Sequence, residues 1–186
     1  MRPAVFLDRD GTLIEEVGYL DRLDRLHVFP YTTEALRVLA RAGFALVIVT
    51  NQAGVARGFF DEAFVQQVHE HLTRRFAGAG VALDGVYYCP HHPAATVERY
   101  RQTCECRKPK PGMLRRAERD LGIDLARSWV VGDRWHDVEL AQHVGARGIL
   151  VRTGYGGSEA ESASPGVVPA TIADHLFEAA SFILRS

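Results

Sequence analysis

Ala4-Val5-Phe6-Leu7 is four apolar residues in a row, cut off at Asp8. A short run with no polar residue alternating in it reads as a strand buried on both faces, as in a parallel sheet covered by helices on each side. The pattern recurs at Phe44 to Val49, Val86 to Tyr88, Trp129 to Gly132 and Gly148 to Val151, so five strands are expected. Helical periodicity fills the gaps between them. Residues 32–42 place Leu36, Leu39 and Ala40 on one face and stop at Gly43. Asp61 is placed to cap a long helix whose Phe64, Val68, Leu72 and Phe76 recur at four-residue spacing. His69 and His71 lie off that stripe and are expected on a solvated face. Met113 to Leu121 forms a helix ending at Gly122, and another carries Val138, Leu140, Ala141 and Val144. A last amphipathic helix is expected near Ile172–Leu184. Residues 15–30 read as a polar excursion, and the Gly/Ser/Pro-rich residues 154–166 as a mobile stretch. Strands alternating with helices set the class as an α/β sandwich with a mostly parallel sheet.

Length bounds the organisation. With 186 residues, no internal repeat and no interdomain linker, a single domain over 1–186 is expected. A formal net charge of −1 argues against nucleic acid or an anionic membrane as partner. No apolar run approaches the ~20 residues of a membrane span. The chain enters its first strand at once, without the apolar core of a signal peptide. All three cysteines lie between Cys89 and Cys106, an odd number that fits a reducing cytoplasm better than a disulfide framework. A monomer is the default expectation.

The strand ends carry the chemistry. Ligands of a parallel sheet bind beyond the carboxyl ends of its strands. Asp8 and Asp10 put two carboxylates at such an end, and like charges this close call for a cation. A hard divalent ion with oxygen ligands, most simply Mg2+, is the natural partner. Other strands end in Thr50-Asn51-Gln52, in Cys89 and in Asp133, and Arg107-Lys108-Pro109-Lys110-Pro111-Gly112 precedes a helix. Each piece alone also reads as a turn, a helix start or a cap, and it is their order at successive strand ends that points to one site. Carboxylates, a hydroxyl, an amide and fixed cations suit phosphoryl transfer, with a carboxylate as nucleophile.

A second constellation is Cys89-x-His91, twelve residues, then Cys104-x-Cys106. Three thiolates and one imidazole make a complete tetrahedral Zn2+ set with no open position, which favours a structural ion. The alternative is free thiols beside a surface histidine. His92 is surplus to the set. The intervening loop has little apolar content and needs the metal to order itself.

In motif order the chain resembles the haloacid dehalogenase (HAD) superfamily of phosphatases. Asp8-Arg9-Asp10-Gly11-Thr12, Thr50-Asn51-Gln52, Lys108, and Gly132-Asp133 through Asp137 match its four motifs, and the resemblance runs from Pro3 to Val151. It implies a three-layer Rossmann-like fold with no large cap domain and a zinc loop, 89–106, inserted. It further implies Asp8 as nucleophile, Asp10 as the acid and base, Thr50 and Lys108 on the phosphoryl oxygens, and Asp8, the Asp10 carbonyl and Asp133 around Mg2+. Asp137 orients that centre. The zinc loop, Gly18-Tyr19, Ala53 to Gly58 and Tyr88 to Pro93 look most like the branch that removes the 7-phosphate of heptose 1,7-bisphosphate. In that branch Glu16, Val17, Gly18, Tyr19, Asn51, Gln52, Ala53, Arg57 and Arg107 correspond to substrate contacts. Histidinol-phosphate phosphatases are the alternative, followed by polynucleotide 3′-phosphatases and a non-catalytic zinc-stabilised binding module. Arg134 departs from the lysine expected there, and Trp135 and His136 are unusual.

Overall fold

A computed structural model describes residues 1–186. Six strands form one sheet: β1 Ala4–Leu7, β2 Ala45–Asn51, β3 Gly85–Cys89, β4 Trp129–Gly132, β5 Arg147–Val151 and β6 Thr171–Ala173. Their spatial order is β3-β2-β1-β4-β5-β6, and every pairing is parallel. The helices are α1 Thr32–Arg41, α2 Ala53–Ala56, α3 Glu62–Gly78, α4 Gly112–Leu121, α5 Trp135–His143, α6 Gly156–Ala160 and α7 Leu176–Ile183.

Strand alternation divides the core into two. Val5, Leu7, Leu46, Ile48, Trp129 and Val131 point to one face, where Leu36 and Leu39 of α1, Val68, Leu72 and Phe76 of α3, and Leu176 and Ala179 of α7 cover them. Ala4, Phe6, Ala45, Val47, Val49 and Val130 point to the other, against Met113, Leu114 and Ala117 of α4 and Leu140 and Ala141 of α5. Both faces are covered, which is why β1, β2 and β4 carry uninterrupted apolar runs. A third cluster of Val55, Ala56, Val65, Ala95 and Tyr100 lies between α2, α3 and the 89–106 loop. Asp61 caps α3 as expected, its Oδ1 accepting from the Phe64 N–H at 2.8 Å. No helix is long and apolar enough to cross a membrane.

Topology positions the site. From β1 the chain winds outward through β2 to β3, then crosses back to lay β4 on the other side of β1. The winding direction therefore reverses between β1 and β4, and the crevice at their carboxyl ends is where such sheets bind ligands.

Three expectations are corrected. A sixth strand, β6, pairs Thr171 to Ala173 with Ile149 to Val151, so the last helix starts at Leu176 rather than near Ile172. The open edge of β5 captures those three residues before the helix can begin. Residues 154–166 are not a free loop: they contain α6, and Trp135 Nε1 donates to the carbonyls of Glu159 and Ser162 at 2.8 and 2.9 Å. His69 is buried, at 7% exposure, rather than solvated, because Arg9 reaches across to its ring.

Candidate active site

The carboxyl ends of β1, β2 and β4 and the loop before α4 open onto one cleft of about 310 Å3. Its wall includes Asp8, Asp10, Glu16, Gly18, Tyr19, Thr50, Asn51, Gln52, Ala53, Arg107, Lys108 and Asp133. Residues up to 128 positions apart in sequence, Asp8 and His136, meet here because every contributing strand points the same way. Val17 and Arg57 stand outside the wall: Val17 packs against the core, and Arg57 is exposed at the end of α2. Arg9, Leu20, Gly54, Phe60, Arg134 and His136 join it without having been singled out as ligand contacts.

Lys108 is the hub. Its ammonium donates to Asp8 Oδ1 at 2.8 Å, to Asp137 Oδ1 at 2.6 Å and to the Val49 carbonyl at 3.1 Å. Burial alone would push the ammonium towards neutrality, but the Asp137 and Asp8 carboxylates win and hold it protonated. Asp137 accepts from Lys108 on one oxygen and from the Arg134 N–H on the other, at 3.2 Å, so both its oxygens are spoken for.

Asp8, Asp133 and Asp137 bring carboxylate oxygens within 4.8 Å of one another. Burial, only partly offset by Lys108, raises the Asp8 carboxyl above the ordinary range, and Asp137 and Asp10 add to the rise. Burial, followed by the Asp8 charge, pushes Asp133 up to about 8. One ammonium does not neutralise this set, and a hard divalent cation is the ligand that an oxygen-only, anion-rich pocket fits. Asp133 is aimed by its surroundings: Oδ2 accepts from the Tyr155 N–H at 2.8 Å. Gly11 (φ 81°) and Gly154 (φ 58°) close on the same carboxylate, and a Cβ on either would collide with it.

Asp10 sits in a different environment. Arg9 Nε donates to its Oδ2 at 3.0 Å and Arg9 Nη2 to its Oδ1 at 3.1 Å. Gln52 Nε2 adds a bond to Oδ2 at 2.9 Å and one to Thr50 Oγ1 at 2.8 Å. Across the cleft, burial and then the nearby Asp10 charge push Glu16 up to about 7, and its Oε1 accepts from the Gly18 N–H at 2.6 Å.

Beside the cleft lies the Cys/His group. The donor atoms of Cys89, His91, Cys104 and Cys106 all fall within 4.8 Å of one another, and no disulfide joins them. Cys89 and Cys106 Sγ are 2.9 Å apart, and His91 Nδ1 is 3.3 Å from Cys106 Sγ. The hydrogen bond shared with Cys89 lowers the Cys106 thiol to about 5, despite burial. This donor set fits Zn2+. Glu62 of α3 accepts from Tyr88 and Tyr100 at 2.6 and 2.8 Å and ties the loop to the body. Arg107 Nη1 donates to the His91 carbonyl at 3.3 Å, which couples this loop to the cleft wall.

Two signals in the sequence pointed to what was missed. The Gly154-Tyr155-Gly156-Gly157 run follows the carboxyl end of β5, the edge where ligands bind, yet reads by composition as a flexible loop. An arginine between two aspartates, as Arg9 is, has partners ready on either side.

A parallel sheet that ends in this carboxylate and lysine cluster defines a HAD-type phosphatase. Comparison with known proteins agrees. Residues 4–141 match the family model described as polynucleotide kinase 3 phosphatase, and residues 105–179 match a HAD-hydrolase-like model. D-glycero-beta-D-manno-heptose-1,7-bisphosphate 7-phosphatase of Photorhabdus laumondii is 49% identical over 154 residues, 82% of this chain and 81% of that protein. The enzyme of the same name from Escherichia coli K12 is also 49% identical, over 82% of this chain and 80% of its own. Among solved structures, D,D-heptose 1,7-bisphosphate phosphatase from B. bronchiseptica, complexed with magnesium and phosphate, superposes with a TM-score of 0.86 at 32% identity, covering 100% of this chain and 99% of that one. The chain therefore belongs to the HAD phosphatases of the polynucleotide kinase 3 phosphatase model and, within them, to the family of heptose-1,7-bisphosphate 7-phosphatases.

Proposed function

We propose that this protein is a Mg2+-dependent phosphatase that removes the 7-phosphate of D-glycero-beta-D-manno-heptose 1,7-bisphosphate and leaves heptose 1-phosphate for activation to a nucleotide-heptose. The observation that carries the reading is the buried Asp8 carboxylate at the reversal point of the sheet, with the Lys108 ammonium 2.8 Å from its Oδ1 and Asp133 alongside. The substrate comes from the names of relatives at near-half identity.

Asp8 attacks phosphorus, and the bond to the C7 oxygen breaks as an aspartyl-phosphate forms. Asp10 gives its proton to the departing oxygen, then takes one from the water that attacks the phospho-enzyme, which restores Asp8 and frees phosphate. Thr50 and Lys108 hold the phosphoryl oxygens as their charge shifts, a role that needs fixed donors rather than new bonds. Asp8, the Asp10 main-chain carbonyl and Asp133 are the ligand set for Mg2+, which when bound screens phosphoryl charge from the carboxylates. Asp137 fixes Lys108. Glu16, Gly18, Tyr19, Asn51, Gln52, Ala53 and Arg107 line the space left for the sugar and its second phosphate. Cys89, His91, Cys104 and Cys106 hold a structural Zn2+.

Asp8→Asn tests the reading, because an amide is a poor nucleophile and a weak ligand for a hard cation. Phosphate release should stop, and no acid-stable phospho-enzyme should form from labelled substrate. Turnover at the parent rate in Asp8→Asn would overturn it.

A further inference from the structure

Arg9 is the largest charged side chain in the interior, 2% exposed. It carries five N–H donors and accepts nothing. Nε and Nη2 form a fork on the two oxygens of Asp10, and Nη2 also reaches Gln52 Oε1 at 2.9 Å. Nη1 faces the opposite way, into the body, where its partner is His69 Nε2 at 3.3 Å. A guanidinium only donates, so Nε2 is the acceptor and the imidazole is neutral, with its proton on Nδ1. Burial, with Arg9 adding to it, holds the His69 imidazole down to about 3, so this tautomer persists throughout the neutral range. His69 is delivered by α3, a 17-residue helix anchored by its Asp61 cap and by Val65, Val68, Leu72 and Phe76 in the core.

We propose that His69 is a positioning residue for Asp10: by accepting from Arg9 Nη1 it holds the guanidinium flat against the carboxylate and so aims Asp10 at the leaving oxygen. A planar fork transmits orientation, because once Nη1 is fixed, Nε and Nη2 have one place left to point. Gln52 braces the same group from the other side, so Asp10 Oδ2 takes two donors and Oδ1 takes one. Oδ1, with its single bond from Nη2, is the less engaged oxygen and the one that serves the substrate in this scheme. Without an acceptor at position 69, a buried N–H is left unpaired, and the guanidinium regains the rotation that the site suppresses.

This inference rests on the reading of Asp10 as the proton donor to the leaving group, and the test separates the two. kcat/KM covers the steps up to departure of the first product. An alkyl leaving group, as in heptose 1,7-bisphosphate, needs a proton to depart, whereas p-nitrophenolate does not. With saturating Mg2+, His69→Leu should lower kcat/KM on heptose 1,7-bisphosphate by about tenfold, a part of the roughly hundredfold or more that a well-placed proton donor contributes, and change kcat/KM on p-nitrophenyl phosphate by less than about twofold. His69→Gln, which keeps an acceptor, should restore most of the loss. Arg9→Lys keeps the charge without the fork and should show the same split between substrates, which covers the case in which His69→Leu does not fold. Equal losses on both substrates, no loss on either, or a His69→Gln variant as impaired as His69→Leu would overturn the inference. Asp10→Asn in the same panel reports on the underlying reading: if it shows no split, both ideas fail together. If Asp10→Asn splits the substrates and the His69 and Arg9 variants do not, only the role of His69 falls.

Discussion

The Asn51 side chain grips the main chain of Lys108 from both sides: its Oδ1 accepts from the Lys108 N–H at 3.0 Å, and its Nδ2 donates to the Lys108 carbonyl at 3.3 Å. Asn51 ends β2, and Lys108 begins the loop that leads to α4, so the pair locks the lysine-bearing loop to the sheet. Asn51→Ala removes both bonds and frees a loop that presents the Lys108 ammonium and the Arg107 guanidinium to the cleft. The expected loss is about 1–2 kcal/mol in kcat/KM on p-nitrophenyl phosphate, one to two net hydrogen bonds, because Lys108 serves the reacting group, and at least as much on the bisphosphate, which also uses Arg107. Steady-state kinetics on the two substrates checks this.

Arg107, one residue earlier, should behave differently. It lines the cleft and leans on the His91 carbonyl, away from Asp8 and its ammonium partner. Arg107→Ala should cost about 1.5–3 kcal/mol in kcat/KM for heptose 1,7-bisphosphate, the worth of a charge-assisted bond to the second phosphate. p-Nitrophenyl phosphate has no second phosphate and should be hydrolysed at the parent rate. Losses of equal size on both would assign Arg107 to the reacting phosphoryl group instead.

The Arg107–His91 contact makes the Cys/His loop felt in catalysis. Elemental analysis should find about one zinc per chain, since four donors close one tetrahedral site. Cys104→Ser, or treatment with a strong chelator, should lower the unfolding temperature and raise KM for the bisphosphate before it affects p-nitrophenyl phosphate. Metal-free protein with parent stability and parent KM would contradict the structural role of the ion.

Burial of His69 has a pH signature. Its folded-state value of about 3 lies below the ordinary 6.5, so it contributes stability above pH 6.5 that is lost as pH falls towards 3, while the unfolded chain takes up the proton. Between pH 7 and pH 5 the parent should lose about 2 kcal/mol more unfolding free energy than His69→Gln, from one proton over roughly one and a half pH units. Denaturant titrations at the two pH values measure the difference. Parallel losses in both proteins would mean that His69 titrates normally.

Much of the frame was legible in the sequence, and for a physical reason. Strands covered on both faces carry unbroken apolar runs, so β1, β2, β4 and β5 announced themselves, and β1, β2 and β4 each lead into polar residues that the cleft now holds. β6 was hidden because Thr171-Ile172-Ala173 is three residues long and runs straight into an amphipathic helix. His69 was misread because helical spacing marks only the stripe that faces the sheet, and a polar partner reaching over from the loop after β1 leaves no trace in periodicity. Arg9 was passed over for the mirror reason: alternation places it opposite Asp8 and Asp10, while its long side chain curls back to the Asp10 carboxylate. The 153–162 segment reads as flexible by its glycines, yet those glycines let the backbone close on Asp133, and Trp135 and Glu159 then pin it.

The central claim is the substrate and the bond that is cut. Phosphate release should be followed with heptose 1,7-bisphosphate, histidinol phosphate and a 3′-phosphorylated oligonucleotide at saturating Mg2+, with the sugar product analysed by 31P NMR. The heptose bisphosphate should be preferred by at least about tenfold in kcat/KM, as a site with a second-phosphate ligand rejects compounds that leave it unpaired, and the product should keep its 1-phosphate. Faster release from histidinol phosphate or from the oligonucleotide, or a product that has lost the 1-phosphate and kept the 7-phosphate, would contradict the account.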